Sequence, residues 1–195
     1  MHVPYVLEAN LTDISLPSAQ DVLDFWFGEL TAQQHFAKDA ALDARIAGRF
    51  GPLLQAAQRC ELAAWRATAG GRLAEIIVLD QFSRNVYRDQ TGAFANDALA
   101  LALAQELVSG AHDADLPIEQ RAFAYLPFMH SESLAIHAQA MVLFDQPGLE
   151  GNFRFEKAHL GILQRFGRYP HRNAALGRAS TAQELEFLAQ PGSSF

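Results

Sequence analysis

The sequence has few of the features that mark secreted and membrane proteins. Its 195 residues include a single cysteine, Cys60, so an internal disulfide and a cage of thiolate metal ligands are both excluded. No apolar run reaches the roughly 18 residues that a membrane span requires. Residues 1–17 contain acids and no basic region followed by an apolar core, so they do not match a signal peptide. These absences predict a cytoplasmic protein that does not enter a membrane.

Positive charge is also scarce. The 15 lysine and arginine residues face 22 aspartate and glutamate residues, and the net charge of −7 argues against nucleic-acid binding. Only Lys38 and Lys157 are lysines. Because arginine contacts carboxylates and phosphates with two donors at once, this bias is compatible with recognition of an anion. A GC-rich genome is the alternative explanation, since it also accounts for the many alanines.

Apolar residues recur at helical spacing along the chain, and no alternating segment rich in Val, Ile or Tyr is bounded by hairpin turns. The alternating Ala–Leu segment 98–104 is assigned to a helix because both residues are strong helix formers. The predicted helices cover 18–28, 39 to the stop at Gly70–Gly71 with a kink or break at Pro52, 72–83, 96–108 capped by Asn96, 117–126 ended by Pro127, a stretch beginning at 131, 152–166 stopped by Gly167, and 180–189 capped by a Ser180–Gln183 box.

We therefore expect an all-α fold of about eight helices without a sheet. Helices of this length, joined by short connections, pack as antiparallel neighbours. Composition changes nowhere enough to mark a linker, so residues 1–195 are predicted to form one domain, with residues 1–17 as an N-terminal extension.

The third predicted helix places polar residues on its apolar face. Asp80 lies four residues after Ile76 and three after Ile77, so the helical repeat predicts that its carboxylate is at least partly buried. A buried carboxylate must be paired, and Arg84 and Arg88 follow at one-turn intervals. Two interpretations are open: an internal ion pair that joins two helices, or a site in which Asp80 holds arginine side chains towards an anion.

Histidine recurs in the second half of the chain. His159 shares a helix face with Phe155 and Ile162, which predicts that it points into the core or a cavity. His130 and Glu132 lie at the start of the sixth predicted helix, where free backbone N–H groups and the helix dipole favour an anion. The alternatives are structural: a neutral core histidine, and an ordinary helix cap.

Residues 165–173 concentrate cations and polar groups around a Gly/Pro turn. They include Arg168, His171, Arg172 and Asn173, stiffened by aromatic residues and a proline. A solvated basic loop usually favours lysine, whereas this loop has none. Its composition fits an anion-binding loop and a structural loop equally well.

Motifs of established chemistry are absent. The seven histidines form no H-x-x-x-H or H-E-x-x-H pair, so no metal site is predicted. There is no G-x-S-x-G elbow for a serine nucleophile and no phosphate-binding glycine loop with lysine. We predict no cofactor, and the candidates for a catalytic role are His159, His130 and Glu132.

Four blocks of sequence resemble the signature of one bacterial family, domain-of-unknown-function family 924. They are 21–28 (DVLDFWFG), 79–88 (LDQFSRNVYR), 125–132 (YLPFMHSE), and His159 with 165–173 (RFGRYPHRN) and 177–181 (GRAST). The resemblance runs in this order from about Asp21 to Ala189. It implies an all-helical, tetratricopeptide-like right-handed superhelix of antiparallel helix pairs. It carries no established reaction and therefore no catalytic residues.

Three hypotheses for function remain. In the first, one pocket binds an anionic small molecule or a peptide carboxylate, and its residues are Asp80, Arg84, Arg88, His130, Glu132, His159, Arg168, His171, Arg172 and Asn173. In the second, the protein is a hydrolase or lyase for an anionic substrate, with His159 or His130 as general base. In the third, the same residues form an ion-pair network in a structural or oligomerisation protein, which leaves a protein partner or a homo-oligomer open.

Overall fold

The computed structural model describes residues 15–193, and within them the chain forms helices and loops without a strand. The predicted N-terminal extension lies outside the described residues except for its last three. The described range contains eight helices: α1, Ala19–Leu23 continued by a π-helix over Asp24–Glu29; α2, Ala40–Gln58; α3, Ala69–Ile77 continued by a π-helix over Val78–Phe82 and a last turn, Ser83–Val86; α4, Asp97–Ser109; α5, Ile118–Met129; α6, Leu134–Phe144; α7, Glu150–Phe166; and α8, Ala182–Leu188.

Local signals fix two of the helix ends, the start of α1 at Ser18 and the predicted stop of α7 at Gly167. Ser18 caps α1 with a reciprocal box, in which its hydroxyl accepts from the N–H of Asp21 and the Asp21 carboxylate accepts from the Ser18 N–H at 2.8 Å. Gly167 ends α7 with a φ of 71°, a left-handed conformation that glycine adopts without strain. Both signals depend only on neighbouring residues, so the sequence suffices to find them.

The capping box of α8 lies one residue further on than predicted. Thr181, not Ser180, is the cap, and its box partner is Glu184, not Gln183. The Glu184 carboxylate accepts from the Thr181 N–H at 2.7 Å and from the guanidinium of Arg168 at 2.7 Å. The charged residue therefore selects the register, because one carboxylate satisfies the helix end and a distant arginine together.

The helix end predicted at Pro127 is wrong, and of the kink or break predicted at Pro52 the break is absent. α5 continues through Pro127 to Met129, and α2 passes Pro52 without a break. Tyr125 and Phe128, which flank Pro127, are 0% and 1% exposed. Burial of each aromatic side chain contributes roughly 1.5–3 kcal/mol, which offsets the loss of about 3 kcal/mol from a proline inside a helix.

The Gly70–Gly71 pair begins a helix instead of ending one. α3 starts at Ala69, and the Thr68 hydroxyl caps it by accepting from the N–H of Gly71 at 3.0 Å. A Cβ atom on Gly71 would lie 2.0 Å from the backbone oxygen of Trp65. Glycine is required here by a close approach between two backbones, which local sequence does not reveal.

α3 is the central helix and packs against α1, α2, α4 and α5. Residues 73–80 are at most 1% exposed. Its polar residues therefore need partners within the protein. Glu75 accepts two hydrogen bonds of 2.7 Å from Arg66. Ser83 accepts one of 2.9 Å from Asn96, whose side chain is thereby diverted from its predicted role as the cap of α4.

From α4 to α7 each helix packs on the next: α4 on α5, α5 on α6, and α6 on α7. The alternating segment 98–104 lies within α4, as predicted. This succession is compatible with antiparallel helix pairs, and the tetratricopeptide-like superhelix stays a prediction. No helix of the described part of the chain combines the length and apolarity needed to cross a membrane.

Candidate functional site

A cavity of about 620 Å³ opens between the end of α3, α5, α7 and the 170–172 turn. Its volume is typical of a small-molecule site. Its polar wall consists of His35, Lys38, Gln81, Arg84, Asn85, Arg88, Asp89, His130, His159, His171 and Arg172, and its apolar wall of Phe36, Ala37, Ala93, Phe94, Leu126, Met129, Phe155 and Ala175, with Gly192 at the edge.

One side of the cavity rests on a buried contact between Asp80 and His130. Asp80 lies in the π-helical part of α3, a geometry that is frequent at functional sites. Its Oδ1 is 2.8 Å from Nδ1 of His130, and Gln81 donates to its Oδ2. Because the carboxylate accepts, Nδ1 carries the proton and Nε2 of His130 keeps its lone pair. No described residue hydrogen-bonds to that Nε2, and His130 lines the cavity.

Two arginines are joined to this contact through Asp97. Nη1 of Arg84 lies 3.0 Å from Asp80 and 3.0 Å from Oδ1 of Asp97. Oδ2 of Asp97 accepts from Nη1 of Arg172 at 3.0 Å, and Nη2 of Arg172 donates to the backbone oxygen of His130 at 2.9 Å. Asp97 thus holds both guanidinium groups at the cavity wall, with side chains that come from α3, α4 and the 170–172 turn.

The described contacts of these arginines leave two buried nitrogen atoms without an acceptor. All described bonds of the Arg84 guanidinium fall on Nη1, and those of Arg172 on Nη1 and Nη2. Nη2 of Arg84 and Nε of Arg172 are buried and have no acceptor among residues 15–193. Buried donors are paired in the great majority of cases, so two unpaired donors on cavity-lining side chains are a feature that requires an explanation.

Aromatic rings fix the position of Arg172. The centre of its guanidinium lies 4.7 Å from the centroid of Phe94 and 4.7 Å from that of Tyr169. The Arg84 guanidinium also faces the Phe94 ring, at 5.7 Å. Such cation–π contacts orient a guanidinium without using its N–H groups, which leaves them available for a ligand.

The histidines of the cavity are neutral at pH 7. Burial lowers the pKa of His130, and the charge of Arg84 lowers it further, against the opposing effect of Asp80. Burial lowers the pKa of His159 to about 3 and that of His171 to about 4. Burial disfavours the charged form of Asp80, but Arg84 and His130 outweigh it and hold its pKa well below the usual range.

Six of the ten residues predicted to share a pocket line this cavity: Arg84, Arg88, His130, His159, His171 and Arg172. Asp80 lies directly behind them. Arg88, however, is held by Asp43 of α2, which accepts from its Nη2 at 2.7 Å, and not by Asp80. The Nδ1 atom of His159 donates to the backbone oxygen of Phe155 at 2.8 Å. The structure thus brings these six residues together around one cavity, and their role in ligand binding stays a prediction.

The other three predicted residues lie outside the cavity wall. Glu132 accepts two hydrogen bonds, of 2.7 and 2.9 Å, from Arg178. Arg168 donates to both carboxylate oxygens of Glu184 at 2.7 and 2.8 Å. Asn173 accepts from Arg178 at 2.9 Å. All three belong to ion pairs and loop contacts that hold the C-terminal segment against the helices.

Several residues of the site carried no usable signal in the sequence. Asp97 is an acid in the first turn of a helix, where it simply complements the helix dipole. Asp43 lies 45 residues from Arg88, and no local spacing relates the two. Phe94 has the appearance of a core residue. Only the chain path through space makes these side chains neighbours.

A second buried polar cluster was also missed, and it lies behind Tyr169. The His137 and Glu156 side chains are 0% exposed, with Nδ1 of His137 2.6 Å from the Glu156 carboxylate. The Tyr169 hydroxyl donates to the backbone oxygen of Met129 at 2.7 Å and lies 2.9 Å from Nε2 of His137. This cluster joins α6 and α7 to the loop that carries Arg172, so it supports the cavity wall from behind.

The fold and the cavity define a class of protein, an all-helical domain with an arginine- and histidine-lined pocket. Among its described residues, no three His, Cys, Asp or Glu side chains are grouped as metal ligands. The chain belongs to a family of bacterial proteins of unknown function, DUF924, whose family model matches residues 22–192. This confirms the family that the four sequence blocks predicted.

A solved structure supports the assignment. The chain is similar to a protein of unknown function from Agrobacterium tumefaciens, with 37% sequence identity and a TM-score of 0.83 over 88% of this chain and 96% of that one. Among curated proteins, none matches this chain. The relatives therefore establish family and fold, and the function has to be argued from the cavity.

Proposed function

We propose that this protein binds a small anionic molecule in the cavity, and that Arg84 and Arg172 hold the anion. The observation that carries the proposal is the pair of buried guanidinium donors without acceptors, Nη2 of Arg84 and Nε of Arg172. A carboxylate or phosphate supplies two or more acceptor oxygens, and guanidinium groups match that geometry. Both nitrogen atoms are enclosed, so the guanidinium groups turn slightly when they present these donors to a ligand.

The surroundings of the two arginines support this role. Asp97 and the Phe94 ring hold both guanidinium groups before any ligand arrives. A ligand therefore meets groups that have already lost most of their conformational freedom, which favours affinity. The proposal does not require the other three residues of the first hypothesis. Glu132 and Asn173 contact Arg178, and Arg168 contacts Glu184, all outside the cavity wall.

The test uses charge-conserving variants. Arg84→Lys and Arg172→Lys each keep a positive charge beside Asp97, so the fold is expected to survive. Each removes the nitrogen atom that lacks an acceptor, Nη2 of Arg84 or Nε of Arg172. Purified protein is screened by thermal shift against phosphates, nucleotides and mono- and dicarboxylates. A ligand at 100 times its Kd adds about 2.7 kcal/mol, which is roughly 5 to 10 °C for a domain of this size.

Arg168→Lys is the matched control because Arg168 forms a similar ion pair outside the cavity. The proposal expects a thermal shift that is lost in both cavity variants and retained in the control. A shift that persists in Arg84→Lys and Arg172→Lys, or no shift with any anion, would show that the arginines serve only to hold the fold together.

Catalysis on the bound anion is a second candidate function, and the Asp80–His130 contact favours it. A neutral histidine oriented by a carboxylate through Nδ1, with Nε2 on the cavity side, is the arrangement of a general base. His130 suits this role better than His159, because burial lowers the pKa of His159 to about 3 and its Nδ1 faces a neutral backbone oxygen in place of a carboxylate. Glu132 is held by Arg178 and does not contact either histidine ring through its described bonds.

The catalytic candidate has its own test. Any ligand found by thermal shift is incubated with the protein and followed by NMR for chemical change. If the protein is a catalyst, the wild type converts the ligand to a product, whereas His130→Gln still binds the ligand but does not convert it. An unchanged ligand after prolonged incubation leaves binding as the function.

A further inference from the structure

The charges around the cavity restrict the kind of anion that fits. Behind the wall, Arg84 and Arg172 are matched by Asp80 and Asp97, and Arg88 is matched by Asp43. At the mouth, exposed Lys38 is accompanied by exposed Asp89. Among the described residues in and behind the cavity wall, each of the three arginines is therefore paired with a carboxylate, and the numbers of cationic and acidic side chains are equal.

The histidines add no positive charge to this balance. His130, His159 and His171 all have lowered pKa values because they are buried, and burial also lowers the pKa of His35. The described residues of the site are thus close to neutral in total before the ligand enters. A ligand with two or more negative charges would lose its hydration without gaining an equal positive charge, whereas a single negative charge needs only the two unused guanidinium donors.

The remainder of the wall is apolar. Leu126, Met129 and Phe94 line the cavity, Phe94 in contact with both arginines, and Phe36 and Phe155 also belong to the lining. Phe36 is 66% exposed and Phe155 is 59% exposed, and the other phenylalanines of residues 15–193 are buried or partly buried. Exposed aromatic side chains in the lining of one cavity favour a ligand with an apolar or aromatic part.

From these observations we infer the ligand class: a small monocarboxylate with an apolar or aromatic body, its carboxylate bound by Arg84 and Arg172 and its body packed against Phe36 and Phe155. This inference rests on the proposed anion-binding function and narrows it. It predicts that phosphate esters and nucleotides, which are also anions, bind more weakly than such a monocarboxylate.

The experiment compares four probes by calorimetry at pH 8, where a phosphate monoester is a dianion. Phenylpropionate has both a carboxylate and a phenylethyl group, and acetate has the carboxylate alone. Phenylpropionamide has the same phenylethyl group with a neutral amide, and phenylethyl phosphate has it with a doubly charged phosphate. We expect phenylpropionate to bind at least about tenfold more tightly than each of the others. Against acetate this is about the factor that corresponds to burial of two methylene groups, and against the amide and the phosphate it reflects recognition of a single negative charge. Butyrate, octanoate and indoleacetate vary the body.

Variants locate the binding. Phe155→Ala is expected to weaken the binding of phenylpropionate about tenfold and to leave the binding of acetate unchanged. Because Phe155 is exposed, the variant is expected to fold. Leu185→Ala is the matched control, since Leu185 is also 59% exposed and lies outside the cavity wall. A peptide with a free C-terminal phenylalanine, compared with its C-terminal amide, shows whether a peptide end supplies the same carboxylate.

The outcomes separate the two proposals. Tighter binding of phenylethyl phosphate than of every carboxylate overturns the ligand class and leaves anion binding in place. Equal binding of the acid and its amide overturns both, because the charge is then not recognised. If no probe binds, or if Arg84→Lys and Phe155→Ala both bind phenylpropionate as tightly as the wild type does, the cavity is not an anion site and the inference is wrong.

Discussion

Replacement of Asp80 by asparagine tests whether the buried polar cluster has the energetic role that its geometry implies. Asp80 is 1% exposed, contacts Arg84 at 3.0 Å and His130 at 2.8 Å, and accepts from Gln81. Asp80→Asn preserves the volume but removes the charge. It leaves the Arg84 guanidinium with Asp97 as its remaining carboxylate, and it places an amide opposite Nδ1 of His130.

The size of the effect follows from the cost of a buried charge that loses its partner. Removal of one member of a buried ion pair costs about 3–5 kcal/mol, and the contact that Arg84 keeps with Asp97 places Asp80→Asn at the lower end. For a domain of this size that is a fall in Tm of roughly 6 to 12 °C. Urea unfolding followed by circular dichroism measures the free energy directly.

Glu29→Gln is the comparison for Asp80→Asn. Glu29 also faces two arginines, Arg45 and Arg49, but its side chain is 38% exposed and water screens the pair. We expect Glu29→Gln to be close to wild type. Equal, small losses in the two variants would refute the claim that burial makes the Asp80 cluster energetically different from a surface pair.

The pH dependence supplies a second readout for Asp80→Asn. The pKa of Asp80 is depressed in the folded protein, so its contribution to stability is complete above the unfolded value of about 3.9 and is lost as the pH falls below it. The difference in free energy of unfolding between wild type and Asp80→Asn should therefore shrink below about pH 4. A difference that stays constant down to pH 3 would contradict a depressed pKa.

Three further predictions concern the histidines, Tyr169 and Arg168. The folded pKa values of His159, about 3, and His171, about 4, lie below the unfolded value of about 6.5, so the unfolded chain takes up protons first and stability falls as the pH drops from 6.5 towards 4. Each histidine contributes about 1.4 kcal/mol per pH unit, and His171→Gln should flatten the dependence in urea titrations; an unchanged slope would count against it. Tyr169→Phe removes the hydroxyl that bonds to Met129 and His137 and should cost about 1–3 kcal/mol in urea unfolding, more than Tyr87→Phe, which has no described hydroxyl bond. Arg168→Ala should retain any ligand-induced thermal shift because Arg168 lies outside the cavity, whereas the sequence hypothesis that put Arg168 in the pocket expects the shift to vanish.

The sequence alone determined the helical class and the features that depend on neighbouring residues. Helical periodicity, the Ser18 cap and the Gly167 stop all act within one or two turns, so they can be read without a fold. The same local logic indicated that Asp80 is buried and paired with Arg84, because both lie on one face of α3. The four sequence blocks likewise sufficed for the family.

Local reasoning failed where tertiary packing outweighed it. α5 passes Pro127 because buried aromatic side chains on both sides hold the helix, and Gly71 starts α3 because a neighbouring backbone approaches it. α6 is apolar all round, so its sequence could not indicate that His137 faces the core while Leu134 and Val142 are 51% and 73% exposed.

The partners of the polar residues were decided only by the tertiary structure. Sequence reasoning grouped ten residues by type, but the structure assigns Arg168 to Glu184 and Glu132 to Arg178, and it joins Arg84 and Arg172 through Asp97. An ion pair depends on distances of about 3 Å between side chains that lie tens of residues apart. Periodicity determines which face of a helix a residue occupies, whereas the packing of helices determines what that face meets, and this is why the cavity and its charge balance emerge only from the folded chain.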